Sequence, residues 1–173
     1  MKVAMLDPSL FTGRYDDSLC RALADEGANV TLLGRPMRAT DAIEPHGYAY
    51  SPRYFHYSEA LRARSGEGRL FRLLKAAEYG LTSAFGSLTP LIDADIVHVQ
   101  WLPLAPADAL MLRRLKGRRP LVHTVHNADA YHDDAVVQGR GYRALLDLFN
   151  ALIVHGDTSR AALERQGVDP TRI

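Results

Sequence analysis

The feature that most constrains the fold of this 173-residue chain is a series of short apolar runs, each ended by polar or aromatic residues. Such runs occupy residues 3–6, 30–33, 96–99, 121–125 and 152–154, and segments with apolar residues at helical spacing separate them. Alternating strands and helices are typical of a parallel sheet with helices on both faces. The sequence therefore predicts a single Rossmann-like α/β domain over residues 1–173, with a doubly wound, mainly parallel sheet.

Composition narrows the class of protein. Hydrophobic residues make up 47% and charged residues 24%, which argues against a disordered or collagen-like chain. A formal net charge of +1 argues against a dedicated nucleic-acid binder. Cys20 is the single cysteine, so no internal disulfide can form and a reducing cytoplasm is the expected compartment. The first apolar run is too short for a signal peptide, and no run approaches the about 18 residues of a membrane span.

Residues 35–92 depart from the alternating pattern and form a variable segment. Four of the eight tyrosines lie between Tyr48 and Tyr57, where a short strand is predicted at residues 48–50. From Leu70 to Leu88, apolar residues recur every three or four positions. This spacing predicts a long helix with one apolar face.

Basic residues are concentrated within the variable segment. Between Pro52 and Lys75 they outnumber acidic residues by 6 − 2 = 4, and Tyr and Phe side chains lie among them. The pattern predicts a surface for anionic lipid headgroups or an anionic lipid-linked acceptor. The alternative interpretation is a solvated helix face. The residues assigned to this surface are Arg62, Arg64, Arg69, Arg72 and Lys75.

Ligands of open parallel sheets bind outside the carboxyl ends of the strands. The residues at these ends are Asp7 to Arg14, Gln100-Trp101, His126-Asn127-Ala128-Asp129 and His155-Gly156-Asp157. The loop with Gly13 could present backbone N–H groups to a phosphate at the start of the first helix. The dinucleotide fingerprint G-x-G-x-x-G and the P-loop are both absent, which argues against nicotinamide dehydrogenases and P-loop nucleotide hydrolases.

A cluster of metal-ligating residue types lies between positions 123 and 134. It contains His123, His126, Asp129, His132, Asp133 and Asp134. On a strand, His123 and His126 point to opposite faces, and no spacing here matches a zinc signature. We therefore expect no metal site. His98 and His123 are expected to be hydrogen-bonded inside buried strands, whereas His126 ends its strand and can face a ligand.

Several stretches together resemble the amino-terminal domain of the family 4 retaining glycosyltransferases. The residues that carry the resemblance are Thr12-Gly13, residues 94–101 (ADIVHVQW), residues 120–127 (PLVHTVHN), residues 151–155, Ser159 and residues 167–173. The resemblance covers residues 1–34 and 93–173 and is loose between them.

The resemblance implies one half of a glycosyltransferase-B (GT-B) enzyme, which has two facing Rossmann-like domains. Residues 1–173 would form the acceptor-side domain, and the donor-binding domain would lie outside this chain. The implied reaction transfers a hexosyl unit from a nucleotide-sugar to a glycan or lipid-linked acceptor with retention, as in polysaccharide biosynthesis. No metal or other cofactor is implied. The expected location is cytoplasmic, peripheral on the inner face of the membrane, and the chain alone is expected to be inactive.

The resemblance also implies roles for individual residues. His126 would line the cleft and touch the transferred sugar near the reacting centre. The loop of Thr12, Gly13 and Arg14 would lie against the donor diphosphate or the acceptor. The other predicted donor- or acceptor-binding residues are Gln100, Trp101, Asn127 and Asp129. Two alternatives remain open: a nucleotide-sugar epimerase of similar build, and a non-catalytic binding domain with the same fold.

Overall fold

The computed structural model describes residues 1–127 and 141–173. Within these residues six strands form one sheet, in which every neighbouring pair is parallel and the order is β3-β2-β1-β4-β5-β6. The strands are β1 (Lys2–Leu6), β2 (Asn29–Gly34), β3 (Ala49–Pro52), β4 (Ile96–Val99), β5 (Leu121–Val125) and β6 (Ala151–Val154). This is the order of a doubly wound fold whose direction reverses between β1 and β4. The predicted fold class is confirmed.

Helices connect these parallel strands. The described helices are α1 (Gly13–Asp25), α2 (His56–Ser65), α3 (Arg69–Phe85), α4 (Thr89–Ile92), α5 (Ala105–Leu115), α6 (Tyr142–Leu146) and α7 (Asp157–Arg165), followed by a 3₁₀ turn at Pro170–Arg172. None of the helices described is long and apolar enough to cross a membrane.

Both faces of the sheet are buried. Successive side chains of a strand point to opposite faces, so Val3 and Met5 pack in one apolar cluster while Ala4 and Leu6 pack in the other. Cys20 of α1 belongs to the first cluster. The central strands are therefore continuous apolar runs because no face of them meets water.

The predicted long helix is present as α3, but its apolar stripe does not face the core. Leu70, Leu81 and Phe85 are 66%, 61% and 82% exposed, and the buried residues of α3 are Phe71, Tyr79 and Ser83. The ring of Tyr79 packs against Tyr54 and Phe55, with ring centroids 5.7 and 5.5 Å away.

A buried hydrogen bond also fixes the orientation of α3. The hydroxyl of Tyr79 donates to Asp108 of α5 at 2.5 Å, and the same carboxyl accepts the backbone N–H of Leu104 at 2.8 Å. Burial raises the pKa of Asp108 to about 7. These aromatic and polar contacts, rather than the leucine stripe, determine which face of α3 is turned inward.

Candidate functional site

The loop between β1 and α1 is held by a buried carboxylate. Asp7 accepts hydrogen bonds from the backbone N–H groups of Ser9 at 3.2 Å and Thr12 at 3.1 Å. Leu10 in this loop has a left-handed backbone, with φ of 51°. A Cβ atom at Gly13 would lie 2.6 Å from the Cδ1 atom of Ile43. The small residue at position 13 therefore lets the start of α1 approach the segment before β3.

Asp7 and Asp16 form a buried carboxyl pair beneath this loop. Both residues have no exposed surface, and their carboxyl groups are hydrogen-bonded to each other. Burial raises the pKa of both groups, and the neighbouring charge of Asp7 helps to raise that of Asp16 to about 9. At neutral pH Asp16 therefore keeps its proton, which it can donate to Asp7.

Thr12 connects the carboxyl pair to the end of β4. Its Oγ1 atom lies 3.4 Å from both carboxyl oxygens of Asp16 and accepts the indole N–H of Trp101 at 2.9 Å. Since the hydroxyl is the acceptor toward Trp101, its hydrogen is available to Asp16. The predicted residues Thr12 and Trp101 are thus joined directly.

An aromatic cluster follows the ends of β4, β5 and β6. The ring of Trp101 is stacked on that of His126, with centroids 5.1 Å apart and planes at 7°. Phe11 contacts the edge of Trp101 at 5.4 Å. Tyr15, in the first turn of α1, meets His126 at 5.3 Å and His155 at 5.4 Å, in both cases edge to face.

His126 is hydrogen-bonded on both sides of its ring. Its Nε2 atom lies 3.0 Å from the Oε1 atom of Gln100, and its Nδ1 atom lies 3.2 Å from the Nε2 atom of His155. Burial, and then the neighbouring His155, lowers the pKa of His126 to about 4. The imidazole is therefore neutral at pH 7, with one donor and one acceptor nitrogen.

His123 lies in the middle of β5, three residues before His126. Its Nδ1 atom is 2.8 Å from the carbonyl oxygen of Val99 and its Nε2 atom is 3.0 Å from the hydroxyl of Tyr142. The ring is stacked on Phe149 at 4.9 Å. His123 is thus a hydrogen-bonded core residue, as expected from its position in β5.

The remaining predicted cleft residues are spread around this cluster. Gln100 is fully buried and contacts His126, whereas Asn127 and Arg14 are exposed. Arg14 lines a cavity of about 330 Å³ between residues 10–15 and the segment containing Thr40, Asp41 and Ile43. Asp129, together with His132, Asp133 and Asp134 of the predicted cluster, lies outside the described residues.

The predicted basic surface is divided by the structure. Arg62 pairs with the buried Glu59 at 2.8 Å, so it is part of an internal ion pair. The ammonium of Lys75 lies 4.7 Å from the ring centroid of Phe55, and burial lowers its pKa. The side chains that remain on the open surface are Arg64, Arg69 and Arg72.

Glu59 is the centre of a wider ion network that holds the variable segment. It accepts hydrogen bonds from Arg38 at 2.5 and 2.8 Å in addition to Arg62. Arg35, at the end of β2, pairs with Asp41 at 2.6 Å and is itself buried. Residues 35–62 are therefore fastened to the carboxyl end of the sheet by paired charges.

The sequence predicts His155 at the strand ends but assigns it no role, and it does not predict Tyr15 or Asp16 for the site. His155 follows β6 at the same sheet edge, which is a usable signal, but its contact with His126 depends on side-chain direction. Asp16 sits in a helix turn where acidic residues are common, so only its burial distinguishes it. In the described part of the chain no three His, Cys, Asp or Glu side chains are grouped so that they could hold a metal ion.

The family model of Glycosyltransferase Family 4 matches residues 12–173. The chain belongs to glycosyltransferase family 4. The match extends from the loop before α1 to the last residue and so includes the strand-end motifs that carry the resemblance. The predicted family is confirmed. No protein in a search of curated sequences matches this family 4 chain significantly.

Solved structures with similar folds include three sugar-nucleotide and sugar-phosphate enzymes. A protein assigned as UDP-N-acetylglucosamine 2-epimerase from Listeria monocytogenes has a TM-score of 0.62 at 12% identity, over 99% of this chain and 44% of its own. The UDP-GlcNAc 2-epimerase from Methanocaldococcus jannaschii has a TM-score of 0.54 at 11% identity, over 100% and 44%. The UDP-forming α,α-trehalose-phosphate synthase from Burkholderia vietnamiensis has a TM-score of 0.51 at 14% identity, over 97% and 44%.

At identities of 11–14%, the similarity to these structures is evidence for the fold alone. The family 4 chain spans less than half the length of each of these proteins. Together with the family match, the similarity identifies the Rossmann-like fold as that of a GT-B amino-terminal domain.

Proposed function

We propose that this chain is the acceptor-side domain of a retaining glycosyltransferase that moves a hexosyl unit from a nucleotide-sugar to a glycan or lipid-linked glycan. The observation that carries the proposal is the stacked pair of Trp101 and His126 beside the Thr12 loop, at the sheet edge of a family 4 chain. On this proposal the nucleotide is bound mainly by a second domain outside residues 1–173. The 44% coverage of the similar structures supports that arrangement.

The cluster has the chemistry that a sugar site needs. The partly exposed indole of Trp101 offers a flat apolar surface, and the hydrogen-bonded pair of His126 and the exposed His155 offers an imidazole nitrogen for a hydroxyl group. The amino end of α1 directs backbone N–H groups and a positive dipole toward the same edge, which favours a diphosphate, and Arg14 lies there. Catalysis of this kind depends on positioning and on electrostatic stabilisation of the leaving diphosphate, with no metal required.

The single tryptophan makes the proposal directly testable. Trp101 is the only indole in the chain and lies in the candidate site, so its fluorescence reports on the cleft. Titration with UDP-glucose, GDP-mannose, the free hexoses and the free nucleotides should show weak changes with the sugars and none with the nucleotides alone. Micromolar binding of a free nucleotide would contradict the division into two domains. Absence of any response to the sugars would contradict a sugar cleft at Trp101.

The alternative enzyme class is a nucleotide-sugar epimerase. Two of the structures with this fold are epimerases of that kind. The two activities differ in their need for a second substrate. With this domain joined to a donor-binding domain, a transferase releases nucleoside diphosphate only when an acceptor is present, whereas an epimerase interconverts two nucleotide-sugars alone. A binding domain without chemistry would do neither.

We further propose that the acceptor is reached at an anionic membrane surface on the cytoplasmic side. The stripe of α3, defined here as Leu70, Leu73, Leu81 and Phe85, is 61–82% exposed. Arg64, Arg69 and Arg72 are exposed at the start of α3 and the end of α2. A helix with exposed apolar and basic side chains binds at the interface of anionic bilayers. Each basic residue contributes about 1 kcal/mol at such a surface, so the binding is reversible and weakened by salt.

Vesicle sedimentation tests the membrane proposal. The domain should pellet with phosphatidylglycerol vesicles at low salt and remain in solution with phosphatidylcholine vesicles. Replacing Leu73 and Leu81 by Ser, or Arg64, Arg69 and Arg72 by Ser, should abolish pelleting. A matched control replaces Lys2, Arg113 and Arg118 by Ser and should pellet as the wild type does. If the wild type stays in solution with anionic vesicles, the proposal is wrong.

A further inference from the structure

The cleft contains a chain of hydrogen bonds that begins inside the sheet. The hydroxyl of Thr124 lies 2.8 Å from the Nε2 atom of His98, and the amide nitrogen of Gln100 lies 3.3 Å from that same atom. Burial, and then His126, lowers the pKa of His98 to about 4, so its ring is neutral. The amide nitrogen of Gln100 also lies 3.0 Å from the sulfur of Met5, which can only accept.

These partners determine which group donates in each hydrogen bond of the series from Thr124 to His155. Because the amide nitrogen of Gln100 faces His98 and Met5, its oxygen faces the Nε2 atom of His126. An amide oxygen only accepts, so the proton of neutral His126 lies on Nε2. The Nδ1 atom of His126 is then an acceptor and takes the Nε2–H of His155 at 3.2 Å.

Both ring nitrogens of His126 are therefore occupied by protein groups. Since the Nε2–H of His155 is the donor to His126, the Nδ1 atom of the His155 ring has its lone pair available to a further donor. Among the described residues that atom has no hydrogen-bond partner, and the side chain is exposed at the open end of the cluster. Tyr15 holds both rings edge to face, which keeps the pair in register.

We propose that the Nδ1 atom of His155 accepts a hydrogen bond from a hydroxyl group of the bound sugar, while His126 acts as a positioning residue that fixes the His155 tautomer. This inference rests on the proposed sugar-binding function, and it assigns the hydrogen bond to the sugar to His155 and not to His126. The ligand group is a neutral hydroxyl donor. Trp101, which is stacked on His126, lines the same cleft.

Amide side chains distinguish the two nitrogens of His155. Asn places its oxygen near the position of Nδ1, whereas Gln places its oxygen near that of Nε2. His155→Asn should therefore keep affinity for UDP-glucose and GDP-mannose within about threefold of wild type. His155→Ala and His155→Gln should weaken it by about tenfold, which corresponds to about 1.4 kcal/mol and lies within the range for one lost hydrogen bond. Trp101 fluorescence measures the affinities, and the exposed His46→Ala is the matched control, with unchanged affinity expected.

The ¹⁵N resonances of the histidine rings distinguish sugar binding at His155 from a purely structural role, because a structural role would not make the Nδ1 signal of His155 respond to sugar. In the wild type, His155 should show a protonated Nε2 and an unprotonated Nδ1, and the Nδ1 signal should shift when sugar is added. His126→Ala should mix the two tautomers of His155. If His155→Ala and His155→Gln bind sugar as the wild type does, the inference is wrong and the sugar cleft stands. If the wild type gives no response to any sugar, both the cleft and this inference are wrong.

Discussion

Replacing Asp16 by Asn should stabilise the domain at neutral and alkaline pH. Asp16 and Asp7 are both fully buried and hydrogen-bonded to each other, and burial, followed by the charge of Asp7, raises the pKa of Asp16 from 3.8 to about 9. The folded state thus keeps a proton on Asp16 that the unfolded chain releases near pH 4. An Asn amide donates to Asp7 without taking up any proton.

The magnitude follows from the linkage between proton binding and folding. Because the folded-state pKa lies above the unfolded one, the contribution of Asp16 is fully present below pH 3.8 and is lost as the pH rises toward 9. One proton corresponds to about 1.4 kcal/mol per pH unit. Between pH 3.8 and pH 7 this amounts to about 4 kcal/mol. Less well placed amide hydrogen bonds offset about 1 kcal/mol or more, which leaves a gain of roughly 2 to 3 kcal/mol.

Urea unfolding followed by Trp101 fluorescence at pH 5, 7 and 9 measures this effect. The stability of the wild type should fall across the series, and that of Asp16→Asn should fall much less. Asp25→Asn, an exposed change on the same helix, should stay within about 0.5 kcal/mol of the wild type. A variant at Asp16 that is less stable at pH 7 and keeps the wild-type pH slope would refute the shared proton.

Three other substitutions and one reaction test the core and the site. In urea titrations His123→Ala should lower the free energy of unfolding by about 3 kcal/mol, because its ring is buried, packs on Phe149 and bonds to two groups. His126→Ala should lower it by less, about 1 to 2 kcal/mol, because its ring is stacked and bonded on both sides but only partly buried. Burial raises the pKa of the Cys20 thiol to about 12, so Ellman's reagent should react only after denaturation, and prompt reaction of the native protein would contradict this. Glu59→Gln should lower the free energy of unfolding by about 3 kcal/mol or more and speed hydrogen exchange in residues 35–67. Unchanged exchange in these residues would argue against the ion network.

The sheet could be predicted because its strands are buried on both faces and therefore appear as uninterrupted apolar runs. The bounds of β4 and β5 coincide with the runs at residues 96–99 and 121–125. The orientation of α3 could not be predicted, because its leucines outnumber its aromatic residues in the sequence. Tyr79 faces inward through partners that come from distant segments, Tyr54 and Asp108.

The candidate site could be predicted in its position but not in its connections. The rule that ligands bind at carboxyl ends of strands indicates one edge, and there Thr12, Trp101 and His126 are in contact. The proton on Asp16 depends on complete burial, which one helical sequence does not reveal. The use of Arg62 in an internal pair depends on Glu59 being buried, whereas in the sequence both residues look like ordinary surface charges.

The position of β1 in the centre of the sheet affects the order of events during synthesis of the chain. β1 can pair with β2 once residue 34 exists, but its other edge is covered only by β4, whose first pairing joins Val3 to Ile96. At a ribosomal rate of about 5 to 20 residues per second, the roughly sixty residues between those points take about 3 to 12 s. During that interval an apolar strand with open backbone hydrogen-bonding groups is available to other nascent chains. A chaperone that shields the first thirty residues would therefore improve the yield of this fold more than one that acts after release.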